Sequence, residues 1–236
     1  GEEFKKGTKT LNQYTQISPA VVGILASLGI KKVSVYKKPR IAVLVTGNEL
    51  VALGKKLKYG QIYDSNYFTI SSVLKQLDIE VINLGIAKDN KAELLKKVKL
   101  GLGISDVLLV SGGISVGEYD YVQEIFNKLR IKKIFWRIAI KPGKPAYFGV
   151  KEKKLIFGLP GNSVASLLIF NQIVKPTIRK VMGERKHQPI ILYAKLDEEL
   201  NKRSGRLELV RGMLRTSSKG ELVVTPTRGQ GSHMLG

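Results

Sequence analysis

Hydrophobic positions follow two regimes along the chain. Between residues 40 and 183, short continuous apolar runs alternate with segments whose apolar residues recur every three or four positions. Residues 41–45 read Ile-Ala-Val-Leu-Val, the pattern of a strand buried on both faces. Asp64, Ser65 and Asn66 form a cluster of capping residue types ahead of Tyr67, Ile70, Val73, Leu74 and Leu77, which share one helical face. Residues 80–84 give a second strand, and Asn90 caps a helix carrying Leu94, Leu95, Val98 and Leu102. A third strand at 106–110 and a helix at 121–129 follow. An antiparallel pair is expected at 134–140 and 146–150, then a strand at 155–159 and a long helix at 163–182. This alternation predicts an α/β fold, a parallel sheet covered by helices on both faces.

The flanks differ. Upstream, Ser18 and Pro19 open a helix with Val21, Val22, Leu25 and Leu28 before Gly29, and residues 30–36 alternate like a short strand. Downstream of Gly183 the helical spacing stops, and residues 190–196, 206–215 and 221–227 are short β-rich runs between Gly, Ser, Asn and Lys. The chain therefore divides into a helical remnant of an N-terminal linker domain at 1–38, an α/β domain at 39–184 and a small C-terminal all-β domain at 185–236. That last domain, and a start at Gly1 rather than Met, read as parts of something longer.

Composition narrows the class. The 236 residues include no cysteine, which excludes disulfides, thiolate zinc sites and cysteine nucleophiles and fits a cytoplasmic protein. No apolar run approaches the ~18–20 residues of a membrane span. The formal charge is +21, from 40 Lys+Arg against 19 Asp+Glu, and favours anionic partners. Three readings of it stand: a solvated lysine-rich surface, an electrostatic funnel for a small anion, or nucleic-acid binding. Aromatic residues that are few and not interleaved with the basic pairs weigh against the third.

In an open parallel sheet, ligands bind beyond the carboxyl ends of the strands. Four such loops carry chemistry: Thr46-Gly47-Asn48-Glu49, Gly85 to Asp89, Ser111 to Asp120, and Pro160-Gly161-Asn162-Ser163. Gly112 and Gly113 let backbone N–H groups approach a phosphate, with the hydroxyls of Ser111 and Ser115 alongside. Pro160, Gly161 and Asn162 deliver a helix start, which favours negative charge. Lys141 and Lys144 flank Gly143 on a turn stiffened by two prolines. Glu49, Asp89 and Asp120 each follow a different strand, and three acids beside a phosphate cradle call for a hard cation such as Mg²⁺. The plainer alternatives are ordinary glycine turns, a helix cap at Asp89, and exposed loop acids at Glu49 and Asp120. Neither His187 nor His233 has another metal-ligand type nearby in sequence.

These segments, with Lys-Pro-Gly-Lys-Pro at 141–145, Leu-Pro-Gly-Asn at 159–162 and Gly-Gln-Ile-Tyr-Asp-Ser-Asn at 60–66, carry a resemblance. In this order they resemble the molybdopterin molybdenumtransferase (MoeA) family and are similar to the E domain of gephyrin. The related MogA-type adenylyltransferase shares the sheet and the Ser-Gly-Gly loop but is not expected to combine them with the two later motifs and a C-terminal β unit. The resemblance implies a MogA-like molybdopterin-binding domain in an enzyme of molybdenum cofactor biosynthesis, a molybdenum insertase. Its substrates would be adenylylated molybdopterin and molybdate (or tungstate), with Mg²⁺-dependent hydrolysis releasing AMP. By motif position, Glu49, Asp89 and Asp120 would serve metal binding and catalysis. Ser111, Gly112, Gly113 and Ser115 would hold the pterin phosphate region, and Thr46, Gly47, Asn48 and Asp64 would be further substrate-binding positions. Lys141, Gly143 and Lys144 would meet anionic ligand, and Pro160, Gly161 and Asn162 would lie beside the oxyanion. A homodimer and contact with the molybdopterin adenylyltransferase are implied, with no nucleic acid or membrane partner. Two departures stand out: the family's Leu-Pro-Gly-Asn-Pro-Val-Ser has Ser163 for its second Pro and Ala165 for its Ser, leaving Ser163 or Ser166 as substitute hydroxyls. The family's additional N-terminal domain is not in the sequence, so a non-catalytic molybdopterin-binding or scaffold module is the rival reading.

Overall fold

The computed structural model describes residues 5, 7–114, 121–201, 204–227 and 229–231. Its principal sheet contains β1 (Ile41–Thr46), every residue of which is buried. Parallel neighbours flank it, β4 (Val81–Ala87) on one side and β5 (Val107–Ser111) on the other. Beyond β5 come parallel β9 (Lys154–Leu159), then antiparallel β8 (Tyr147–Lys151) and β6 (Lys132–Trp136). The six-stranded order is β4-β1-β5-β9-β8-β6.

Side-chain alternation explains the continuous apolar runs. In β1, Ala42 and Leu44 face one core while Ile41, Val43 and Val45 face the other; in β5, Leu108 and Val110 oppose Val107 and Leu109 in the same way. The first core is closed by α3 (Lys91–Ile104) through Leu94, Val98 and Leu102, and by α4 (Tyr121–Lys128) through Val122, Ile125 and Phe126. The second is closed by α2 (Asn66–Gln76) through Ile70 and Leu74, and by the long C-terminal helix through Ile169, Phe170, Val174 and Ile178. That helix runs as α5 (Ser163–Ile169), a π-helical turn (Phe170–Val174) and α6 (Lys175–Val181). The π turn sits just ahead of Pro176, whose missing N–H breaks the ordinary α pattern. Helices thus cover both faces, as the periodicity predicts.

Caps set the helix starts. Ser18 accepts from the Val21 N–H to open α1 (Pro19–Ser27), and Asn90 accepts from the Ala92 and Glu93 N–H groups to open α3. For α2 the capping oxygen is that of Asp64, which accepts from the Tyr67 N–H at 3.0 Å, while the Ser65 side chain makes no capping bond. Asp64 is buried, and that burial raises its carboxyl above the usual carboxylate value against the opposing pull of the Tyr67 and Asn66 backbone N–H groups.

The flanks depart from expectation. Residues 30–36 form no strand: no neighbouring strand offers a ladder, and Ile30, Val33 and Val35 are exposed. The segment is instead pinned by Tyr36, which stacks on Tyr14 and lies against Gly183 at the end of α6. In the C-terminal part, β10 (Lys195–Leu196), β13 (Leu222–Pro226) and β12 (Gly212–Thr216) make a three-stranded sheet. The run at 206–215 is divided, because β11 (Leu207–Glu208) leaves that sheet to pair with β7 (Ile140–Lys141). The run at 190–196 is strand only at its end, and Ile190 and Tyr193 are almost fully exposed. A last short pair, β2 (Leu50–Val51) with β3 (Ile62–Tyr63), follows β1. Among the described residues, no helix is long and apolar enough to cross a membrane.

Two outcomes follow. Asn90→Ala removes the cap of α3 and should cost about 1 kcal/mol in chemical denaturation. Asp64→Asn keeps the capping oxygen and removes the charge. Because the folded-state pKa of Asp64 is raised, its ionisation opposes folding only as pH rises through that value. Unfolding curves of wild type and Asp64→Asn should therefore converge in acid, with the variant gaining relative stability towards neutral pH; a constant difference across that range would exclude a perturbed Asp64.

Candidate functional site

Adjacent strands β1 and β5 are followed by helices on opposite faces, α2 on one and α4 on the other, which opens a crevice at their carboxyl ends. The loops after β1, β4, β5 and β9 all meet there.

The β1 and β4 loops are locked to each other. The buried Thr46 hydroxyl donates to Asp89 Oδ1 at 3.1 Å, the Asn48 N–H donates to Asp89 Oδ2 at 3.2 Å, and the Asp89 N–H returns a bond to Asn48 Oδ1 at 3.0 Å. Lys88 Nζ donates to the carbonyls of Asn48 and Leu50 at 3.1 and 3.0 Å, and the Gly47 N–H donates to the Ala87 carbonyl at 3.1 Å. Both Asp89 oxygens therefore already accept a hydrogen bond, and helix capping falls to Asn90 alone. Glu49 differs: its backbone carbonyl accepts from the Ile62 N–H at 2.9 Å, but its side chain is exposed, folds over Gly47, and makes no hydrogen bond or ion pair with a described residue.

The β5 and β9 loops are joined just as closely. The Gly112 N–H donates to the Leu159 carbonyl at 3.0 Å, and Gly161 packs against the Gly112 Cα. Gly112 has φ +92°, and a Cβ there would stand 2.3 Å from the Thr46 carbonyl oxygen, so only glycine lets the β5 loop cross the end of β1. Ser111 is fully buried; its hydroxyl accepts from Asn66 Nδ2 at 2.9 Å and faces the Pro160 carbonyl at 3.4 Å. The Ser111 hydroxyl, expected alongside a phosphate, is here engaged within the loops. Gly113, also at positive φ, adjoins Val122 and the Thr46 side chain. Asn162 Oδ1 caps α5 by accepting from the Ala165 N–H at 3.0 Å. Of the remaining expected residues, Ser115 and Asp120 lie outside the described residues.

The 141–145 turn borders the same helix. Gly143 lies so close to Ile169 of α5 that a Cβ would come within 2.5 Å of Cδ1. Lys144 is exposed, whereas Lys141 pairs at 2.8 Å with Glu208 of β11, so the β7–β11 contact brings the C-terminal part against this turn. Glu208, Lys88 and Asn66 were not candidates from sequence. Lys88 and Glu208 carry no local signal, and Asn66 reads from sequence as part of a capping cluster. Among the described residues, no three His, Cys, Asp or Glu side chains gather closely enough to hold a metal ion.

Comparison with known proteins bears on this edge. Residues 42–180 match the family described as "Probable molybdopterin binding domain", and residues 193–236 match "MoeA C-terminal region (domain IV)". The molybdopterin molybdenumtransferase of Haemophilus influenzae is 42% identical over 236 residues, covering 100% of this chain and 58% of that protein. The molybdopterin molybdenumtransferase of a Nostoc species is 37% identical over 215 residues, 89% of this chain and 49% of that one. The crystal structure of the molybdopterin biosynthesis MoeA protein from Pyrococcus horikoshii superposes with a TM-score of 0.78 at 27% identity, covering 100% of this chain and 56% of that one. The chain thus spans about half the length of the relatives it matches. With both of its principal segments matched, and a relative 42% identical along its whole length, the chain belongs to the molybdopterin molybdenumtransferase (MoeA) family.

Proposed function

We propose that this chain carries the pterin-binding portion of a molybdenum insertase, which inserts molybdate into adenylylated molybdopterin and releases AMP. The observation that carries this reading is the interlocked edge, where four loops from parallel strands meet at one crevice with glycine backbone on its surface. Anionic ligand suits that edge: Gly113 and Gly161 offer backbone there without side-chain obstruction, Lys144 is an exposed cation on the neighbouring turn, and the net charge of +21 draws anions inward.

The acidic residues fit a hard cation in part. Mg²⁺ is bound through one or two carboxylates together with substrate phosphates and water, and exposed Glu49 offers such a carboxylate, with Asp89 already committed to two loop bonds. Glu49, Asp89 and Asp120 are the residues that would hold it; the ion would offset charge on the phosphoanhydride as that bond is cleaved. The chain's own residues orient the ligand. Asp89 keeps Thr46 and Asn48 in place, Gly112 holds the β5 loop against β9, Gly113 presents backbone to phosphate, and Lys144 neutralises the oxyanion. Molybdate and tungstate, both tetrahedral dianions, are equivalent substrates for such contacts.

One observation favours a binding module without turnover. Position 165 is alanine, buried and bonded through its N–H to Asn162, and the Ser166 hydroxyl is buried without a partner among the described residues. Of the two substitute hydroxyls, Ser163 is the more open, half-buried at the start of α5.

Incubation with adenylylated molybdopterin, Mg²⁺ and molybdate, with AMP and retained pterin quantified together, tests both readings. The insertase should release AMP, and Glu49→Gln or Asp120→Asn should slow release by about a hundredfold or more while pterin stays bound. Retained pterin without AMP in the unaltered chain establishes the binding module, and neither binding nor release rejects both.

A further inference from the structure

Asn66, the first residue of α2, makes a contact that helix capping does not require. Asp64 already caps α2, yet the Asn66 amide is turned inward, with the residue only 7% exposed. Its Nδ2 donates to Ser111 Oγ at 2.9 Å and to the Gly161 carbonyl at 2.8 Å. Its Oδ1 is shut away from solvent and has no hydrogen-bond partner among the described residues.

The direction of the amide is dictated by its partners. A carbonyl can only accept, so turning the amide over would set Asn66 Oδ1 against the Gly161 oxygen. Among the described residues this leaves a buried acceptor unpaired, a costly and uncommon arrangement in native interiors, and an apolar side chain at this position would avoid that cost. What the asparagine supplies in return is two donors on one rigid amide, one to the loop after β5 and one to the loop after β9. Beside the Gly112 N–H bond to the Leu159 carbonyl and the 3.4 Å contact of the Ser111 hydroxyl with the Pro160 carbonyl, these two bonds join the loop ends through one side chain.

We propose that Asn66 is a positioning residue that sets the spacing of the Ser111–Gly113 and Pro160–Asn162 loops, tying both to the start of α2. It acts through the loops and touches no reacting atom. Its importance for ligand rests on the reading above that these loops receive the anionic substrate. The tie also explains why the Ser111 hydroxyl faces inward: it is the acceptor for this amide.

The test combines amide hydrogen–deuterium exchange at residues 111–114 and 159–163 of the unliganded protein with affinity for adenylylated molybdopterin at fixed salt. Asn66→Asp keeps the shape and replaces both donors by acceptors, whereas Asn66→Ala removes the donors together with the unpaired oxygen. Ile70→Val, one turn along α2 and packed on the sheet, is the matched loss of core packing. In both Asn66 variants, exchange in the two loops should rise about tenfold or more with β1 still protected, and affinity should fall by about tenfold. Ile70→Val should alter neither. Lowering the pH to protonate the introduced carboxyl of Asn66→Asp should restore one donor and slow loop exchange relative to Asn66→Ala. Unchanged loop exchange in both variants overturns the proposal, and so do freed loops with unaltered affinity. If the wild type binds no pterin, the functional reading falls, while the exchange data still decide whether Asn66 ties the loops.

Discussion

The geometry of the edge depends on the space that is missing above Gly112. With φ at +92° and the Thr46 carbonyl where a Cβ would lie, the β5 loop crosses directly over the end of β1. The contacts between the β5 and β9 loops are built on that crossing. It puts the Gly112 N–H in line with the Leu159 carbonyl, presses Gly161 on the Gly112 Cα, and leaves Ser111 facing the amide of Asn66. On the other side, Thr46 passes the constraint to Asp89 and Asn48. A side chain at position 112 would push β1 and β5 loops apart, and the bonds on both sides would lose their partners together.

The resulting site divides labour between backbone and side chains. Near the centre, most polar side chains are engaged with one another: Thr46 with Asp89, Ser111 with Asn66, Asn162 with the start of α5. Charge is displaced to the rim, where Glu49 and Lys144 are exposed and Lys141 is shared with Glu208. Such a plan suits a ligand rich in phosphate and oxyanion, since buried amides and hydroxyls hold the loops rigid while water-facing charges remain able to reorganise around the incoming dianions. The β7–β11 pairing adds a physical link between this rim and the C-terminal sheet, consistent with two segments of one family matching in sequence order.

Legibility followed the physics of each signal. Residues 41–45 and 107–110 announced themselves because a strand buried on both faces needs apolar residues at every position, and Asn90 did so because its capping oxygen acts on its own neighbours. Residues 30–36 alternate convincingly, yet a strand exists only where another strand supplies hydrogen bonds, and none lies beside them. The run at 206–215 failed similarly: its ladder partner for Leu207 and Glu208 is the distant β7 rather than its own hairpin. At the α2 start, Asp64 and Ser65 are equally good caps by residue type, and only the burial of Asp64 against Tyr67 separates them.

The sequence by itself determined the alternating α/β order, the covered sheet, the glycine-rich loops at one edge and the family, because each of these resides in local periodicity or in motifs read along the chain. Tertiary structure alone decided which polar groups at that edge are open. Ser111 is closed, both Asp89 oxygens already accept bonds, Lys141 is paired and Asn66 bridges two loops, through partners that lie 43, 45 and 95 residues away for Thr46–Asp89, Asn66–Ser111 and Asn66–Gly161. A hydrogen bond over such separations is set by how strands are ordered in the sheet, and strand order is fixed by packing of the two cores, which no local pattern records.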